Sequence, residues 1–166
     1  MPYRVSDTIK KESDIMKKEL VIVLAEDEPT TSRLYSDALR RVGYEVEVAF
    51  DGEEAIQKLE DTKEKPTLAI LDILMPKMSG LDVLKYIKQN PKLQRVPVVM
   101  LTNVAEREDA EHALELGAVL YLTKIQYGPK EIVDKIGEIA AGYSSKPRDG
   151  AVPEVKTRVK DIGARG

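Results

Sequence analysis

Three short stretches of the chain are built almost wholly of apolar side chains, and each leads into a segment whose apolar residues return every third or fourth position. Leu20-Val21-Ile22-Val23-Leu24-Ala25, Thr67 to Leu71 (after Pro66) and Pro97-Val98-Val99-Met100-Leu101 are too short for buried helices. They lack the alternation of a half-exposed strand, so they read as strands covered on both faces. Tyr44 to Ala49 alternates as a half-exposed strand, and Val119 to Leu122 is a short last one. Between them lie helical patterns. Leu34, Ala38, Leu39 and Val42 form an expected apolar stripe that stops at Gly43. Asp51 is placed to cap the next helix and Glu54 to answer it, with Ala55, Ile56 and Leu59 as the apolar face. A loop through Pro76 and Gly80 leads to a helix carrying Leu84 and Ile87. Asn103 and Glu106 fit a second capping pair ahead of Ala110, Ala113, Leu114 and Leu116, with Gly117 as the stop. Gly128-Pro129 opens the last helix, proline at its first position, and Ile132, Val133, Ile136, Ile139 and Ala140 give it a stripe. Strand and helix therefore alternate five times. Short connections and right-handed crossovers then require an α/β fold, an open parallel sheet doubly wound with helices on both faces. Chemistry in such sheets collects at the carboxyl ends of the strands, near the point where strand order reverses.

A length of 166 residues fits one domain with tails. We expect a polar N-terminal extension over 1–19, the folded domain over 20–143 and a flexible tail over 144–166. Val152, Val155 and Val159 offer only a weak amphipathic pattern in that tail. A net charge of −3 argues against nucleic-acid binding by bulk charge. The absence of cysteine excludes disulfides, thiolate metal sites and a cysteine nucleophile. No apolar run is long enough to cross a bilayer, and Met1 to Lys18 lacks the apolar stretch of a signal peptide. A cytoplasmic protein that uses neither membrane nor nucleic acid is the expectation.

Each core strand presents a reactive group at its carboxyl end. Glu26, Asp27 and Glu28 follow the first, Asp72 the third, Thr102 the fourth and Lys124 the fifth. Parallel strands bring these to one sheet edge. Crowded carboxylates repel unless a cation joins them, and hard oxygen ligands with water in the remaining positions suit Mg²⁺. A metal beside a carboxylate and a lysine makes an anion site, and phosphoryl transfer depends mainly on positioning and charge neutralisation there. A carboxylate can itself be the nucleophile and form an aspartyl phosphate. Taken singly, each group has a plainer explanation. The acidic run can guard a helix N-terminus, Thr102 can simply end a strand, Lys124 can be a solvated lysine, and Tyr121 can be a packed aromatic. Those explanations do not account for the convergence. His112, the sole histidine, reads as a surface helix residue and not as a phosphotransfer site.

Four segments carry a resemblance: Ala25-Glu26-Asp27-Glu28-Pro29, Leu71-Asp72-Ile73-Leu74-Met75-Pro76-Lys77-Met78-Ser79-Gly80, Met100-Leu101-Thr102-Asn103, and Gly117-Ala118 followed by Tyr121-Leu122-Thr123-Lys124. In this order, over about Leu20 to Ala141, they resemble response-regulator receivers of two-component signalling. The resemblance implies a flavodoxin-like (βα)5 fold with strand order 2-1-3-4-5. It implies Asp72 as phosphoacceptor, Mg²⁺ held by Asp27, Asp72 and the backbone carbonyl of Leu74, and Glu26 holding the metal's water shell. Thr102 would donate its hydroxyl to the phosphoryl group, Lys124 would pair with a phosphoryl oxygen, and Tyr121 would be the ring that turns inward on activation. The implied partners are a histidine kinase or phosphotransfer protein, and a downstream protein bound through the face made by 105–116, 119–122 and 129–142. Such a domain catalyses only its own phosphorylation and dephosphorylation.

The sequence departs from the family pattern in three places. Glu26 stands where Asp is commoner, Asn103 is bulkier than the usual small residue, and Ile125 replaces the proline after Lys124. That last bond is typically cis in the family, and a cis bond without proline costs about 2.5–4 kcal/mol. The competing readings are a receiver cut from a hybrid kinase or larger regulator, a receiver that works without phosphorylation, and an aspartate-nucleophile phosphohydrolase. The hydrolase needs a second acid two residues after its nucleophile, where this chain has Leu74. The acidic, threonine and lysine set is complete, which argues against the phosphorylation-independent form. The segment after Tyr143 is short for a helix-turn-helix output domain, which favours a stand-alone receiver.

Overall fold

A computed structural model describes residues 5–65 and 67–144. Pro66 and the expected tail beyond Ser144 lie outside the described residues. The elements run α1 (Val5–Glu19), β1 (Val21–Ala25), α2 (Pro29–Arg41), β2 (Glu45–Ala49), α3 (Gly52–Thr62), β3 (Thr67–Leu71), α4 (Gly80–Gln89), β4 (Val98–Thr102), α5 (Arg107–Glu115), β5 (Leu120–Thr123) and α6 (Pro129–Ser144). The strands form one sheet in the order β2-β1-β3-β4-β5, every pair parallel. Order reverses between β1 and β3, the switch point where such sheets place ligands.

The apolar runs are buried for the expected reason. Strands β1, β3 and β4 are buried at every position, whereas β2 is buried only at Val46 and Ala49. Successive side chains of a strand point to opposite faces. Val23, Ala69, Leu71, Met100 and Tyr121 therefore meet α3, α4 and α5 on one side. Ile22, Leu24, Ile70, Leu101 and Leu122 meet Tyr35 and Leu39 of α2 and Ile132, Ile136 and Ile139 of α6 on the other. Gly43 and Gly117 end their helices at φ 106° and 109°, a conformation that L side chains avoid. The expected capping pair on α3 forms: Asp51 Oδ1 accepts from Glu54 N–H at 2.8 Å, and Glu54 accepts from Phe50 N–H at 2.9 Å.

Two local expectations are corrected. The expected α2 stripe holds only at Leu39, which is buried: Leu34 is 53% exposed and Val42 39%, and Ala38 is only half-buried. The buried row is Ser32, Tyr35, Ser36 and Leu39. Ser32 and Ser36 donate their hydroxyls to the carbonyls of Pro29 and Arg33, at 3.0 and 3.2 Å. Small polar residues thereby enter a close helix–sheet contact with no stranded donor, and Tyr35 brings more apolar area than Leu34. The second correction concerns α5. It begins at Arg107 with Glu106 as its N-cap residue, and no side chain caps it. The Asn103–Glu106 pair therefore does not form, because the chain stays extended through that loop. The polar N-terminal extension carries a helix, α1, that the sequence pattern did not mark. It rests against α6 and β2, and Val5 and Ile9 are exposed.

Candidate functional site

The parallel ladder continues past the strand ends and fixes where the reactive groups emerge. Glu26 N–H donates to Ala49 O at 2.9 Å, Asp72 N–H to Ala25 O at 3.0 Å, and Lys124 N–H to Thr102 O at 2.9 Å. The backbones of Glu26, Asp72 and Lys124 are thus locked to neighbouring strands, and their side chains leave one edge together.

Ligand oxygens of Glu26, Asp27 and Asp72 lie within 4.8 Å of one another. Glu26 and Asp72 are buried and Asp27 is exposed, so the group opens to solvent on one side. Lys124 joins the two buried members. Its ammonium is 2.8 Å from Asp72 Oδ2 and also donates to Glu26 Oε2. The side chains of all three are no more than 9% exposed. Burial lifts the Glu26 carboxyl above its ordinary range against the opposing pull of Lys124. Burial by itself would lower the Lys124 pKa, but the hydrogen bonds and charges of Asp72 and Glu26 together outweigh it and hold the ammonium above its usual value. Two buried carboxylates share one cation, and Asp27 adds a third. This donor set fits a small hard divalent ion: carboxylate oxygens only, with room for water on the Asp27 side.

Glu28 has a separate task. It caps α2, accepting from Thr30 N–H at 3.0 Å and from both the amide and the hydroxyl of Thr31 at 2.6 Å. Those bonds lower its pKa to about 2. The helix-guarding explanation of the acidic run therefore holds for this member and not for Glu26 or Asp27. Leu74 N–H donates to Asp72 Oδ1 at 3.3 Å. The Leu74 side chain points away and is 66% exposed. The Lys124–Ile125 bond is trans, as is every peptide bond among the described residues. Lys124 reaches the carboxylates without the cis bond.

Thr102 is fully buried at the floor of the site. Its hydroxyl oxygen accepts from Val104 N–H at 3.2 Å, which leaves the hydroxyl proton free for another acceptor. Tyr121 is 2% exposed and donates its hydroxyl to Val104 O at 2.6 Å. Burial pushes the phenol pKa well up, helped by the carboxylates of Asp109, Asp72 and Glu106. The ring expected to turn inward on activation is already inside. His112 is exposed on α5, apart from this edge. Sequence reasoning missed Lys77, in the loop after Asp72, which pairs with Asp51 at 3.3 Å. No short-range pattern signals a contact between two separate turns.

An edge of this kind on a 2-1-3-4-5 sheet defines a signalling receiver, and the comparisons agree. The chain belongs to the response-regulator family of two-component signalling: the model described as the response regulator receiver domain matches residues 22–137. It is 38% identical over 140 residues to the alkaline phosphatase synthesis transcriptional regulatory protein PhoP of Bacillus subtilis, a match covering 81% of this chain and 55% of that regulator. It is 38% identical over 119 residues to the response regulator Rcp1 of Synechocystis, covering 68% of this chain and 81% of that one. Among solved structures it is similar to the phosphorylated cyanobacterial phytochrome response regulator RcpA, with TM-score 0.64 and 31% identity over 80% of this chain and 97% of that one. The chain spans about half the length of the transcriptional regulators it matches. No described helix is long and apolar enough to cross a membrane.

Proposed function

We propose that this receiver takes a phosphoryl group on Asp72 from a phosphohistidine of a kinase or phosphotransfer protein, and that the modified site changes a partner-binding face. The observation that carries this is the sharing of the Lys124 ammonium between Asp72 and Glu26, with Asp27 at the open side. An Asp72 carboxylate oxygen attacks phosphorus, the bond to the donor nitrogen breaks, and the imidazole leaves with a proton. Lys124, already on Asp72 Oδ2, then meets the incoming phosphoryl oxygen. Thr102 has a hydroxyl proton to donate to another, since its oxygen is used only as an acceptor by Val104. Asp27, Asp72 and the Leu74 carbonyl would hold Mg²⁺ in this reading, and Glu26 would hold its waters. The ion supplies charge neutralisation when bound. The phosphorylated state of the similar RcpA supports the same reading.

The proposed receiver unit is 20–143, acting in the cytoplasm through the face made by 105–116, 119–122 and 129–142. The test is intact mass after incubation with a small phosphodonor. One phosphoryl group is expected in the presence of Mg²⁺ and none in chelator, and Asp72→Asn abolishes the adduct. A normal adduct on Asp72→Asn refutes the assignment.

A further inference from the structure

The loop from Ile73 to Ser79 carries Leu74, whose amide holds Asp72 Oδ1. Its middle is unusual. Lys77 has φ 66°, the single positive value at a non-glycine residue among the described residues. An L side chain avoids that conformation, and surrounding contacts must sustain it. The contacts come from the turn that opens α3. Lys77 Nζ lies 3.3 Å from Asp51 Oδ2 and 3.9 Å from Glu53 Oε2. Gly52 N–H points to Pro76 O at 3.5 Å. Met78 packs so closely on Gly52 that a Cβ there would collide with the Met78 carbonyl and Cβ. The turn is itself held firm, because Asp51 uses its other oxygen to cap α3.

We infer that Lys77 and Gly52 are positioning residues: the α3 turn supports the loop from outside, and the loop in turn sets Leu74 against Asp72 and the metal. This deepens the phosphoacceptor reading and rests on it for the metal. Without the support the loop relaxes away from its left-handed kink. The Leu74 amide then leaves Asp72 Oδ1.

The experiment uses the full chain, with Mg²⁺ titrated by calorimetry well below each variant's melting temperature and amide shifts recorded with and without metal. Lys77→Met keeps the stem and removes the charge. It is expected to weaken Mg²⁺ binding about two- to fivefold, the range of an exposed ion pair, and to shift the Asp72 and Leu74 amides in the metal-free protein. Lys77→Arg restores both. Gly52→Ala is expected to weaken binding by about tenfold or more, since the clash is with backbone, and the lysine variants decide the matter if it does not fold. A merely structural role lowers the melting temperature and leaves affinity and those two amides unmoved. Failure of the parent to bind Mg²⁺ overturns the metal reading, while the metal-free shifts still decide the positioning role. An unchanged affinity and unmoved amides in Lys77→Met overturn the inference.

Discussion

Replacing Lys124 by methionine tests whether this lysine acts as the built-in cation of the acidic edge. The substitution keeps most of the stem and removes the charge, leaving Glu26 and Asp72 buried, close and unpaired. Breaking a buried ion pair from one side costs about 3–5 kcal/mol. The open Asp27 side and the ability of Glu26 to take up a proton place this site at the low end, about 3 kcal/mol. For a chain of this size that lowers the melting temperature by about 10 °C. The loss depends on pH. Glu26 ordinarily titrates at 4.5 and is raised in the fold by burial. A raised acid destabilises the fold above its unfolded pKa, so stability falls as pH climbs from 4.5 through the folded value. Removing Lys124 removes the force that opposes that rise. The gap between parent and variant is therefore wide at pH 8 and narrows toward pH 5. In the parent, the raised Lys124 pKa means that its contribution is fully present below its ordinary 10.5 and is lost as pH rises from there through the folded value. Mg²⁺ is expected to recover more stability in the variant than in the parent, because the ion takes over the missing charge. Thermal melts at both pH values, in chelator and in Mg²⁺, read all three effects. A melting temperature within about 2 °C of the parent at pH 8, or a gap that widens at pH 5, refutes the argument.

Tyr121→Phe leaves the Val104 carbonyl without its buried donor and is expected to cost about 1–3 kcal/mol in urea unfolding, with phosphorylation at Asp72 unimpaired; an unchanged midpoint shows that water replaces the hydroxyl. Leu74 and Val104 offer no side-chain hydrogen bond to an attacking water, so the aspartyl phosphate is expected to last minutes or longer. Leu74→Asn with Val104→Glu should shorten its life as followed by mass, and equal decay in both proteins defeats that account. Ser79 Oγ accepts from Asp82 N–H at 3.2 Å and caps α4. Ser79→Ala is expected to cost about 1 kcal/mol, and Ser79→Asp to restore it, in the same unfolding assay.

How far the sequence spoke depended on the range of the interaction. Asp51 and Glu54 are three residues apart and their bonds are local, so the cap was readable. The strands were readable because burial on both faces leaves little room for polar residues. On α2, by contrast, the expected row 34–38–39–42 and the buried row 32–35–36–39 share Leu39, and both satisfy a helical period. Only the sheet decides between them, and it chose the row with two serines. Asn103 has the chemistry of a cap, but a cap needs the helix to start beside it, and α5 starts later. The convergence of Glu26, Asp72 and Lys124 followed from parallel strands. Their pairing did not, since it depends on how far each side chain reaches. The Lys77 contacts were hidden for a related reason: they join turns some 25 residues apart, and neither turn announces the other.

The two faces of the sheet share no core residue. Tyr121, and Val104 packed beside it, belong to the layer with α3, α4 and α5, whereas Tyr35 and Leu39 of α2 lie behind the sheet with the inner stripe of α6. Five hydrogen-bonded strands stand between the layers, and a packed interior yields in discrete steps and not smoothly. Substitutions on the α2 side can raise or lower the tolerance of the whole domain to heat without disturbing the neighbours of Tyr121. The side chains packed around Tyr121 and those that anchor α2 therefore lie on opposite sides of the backbone that delivers Asp72 to the edge.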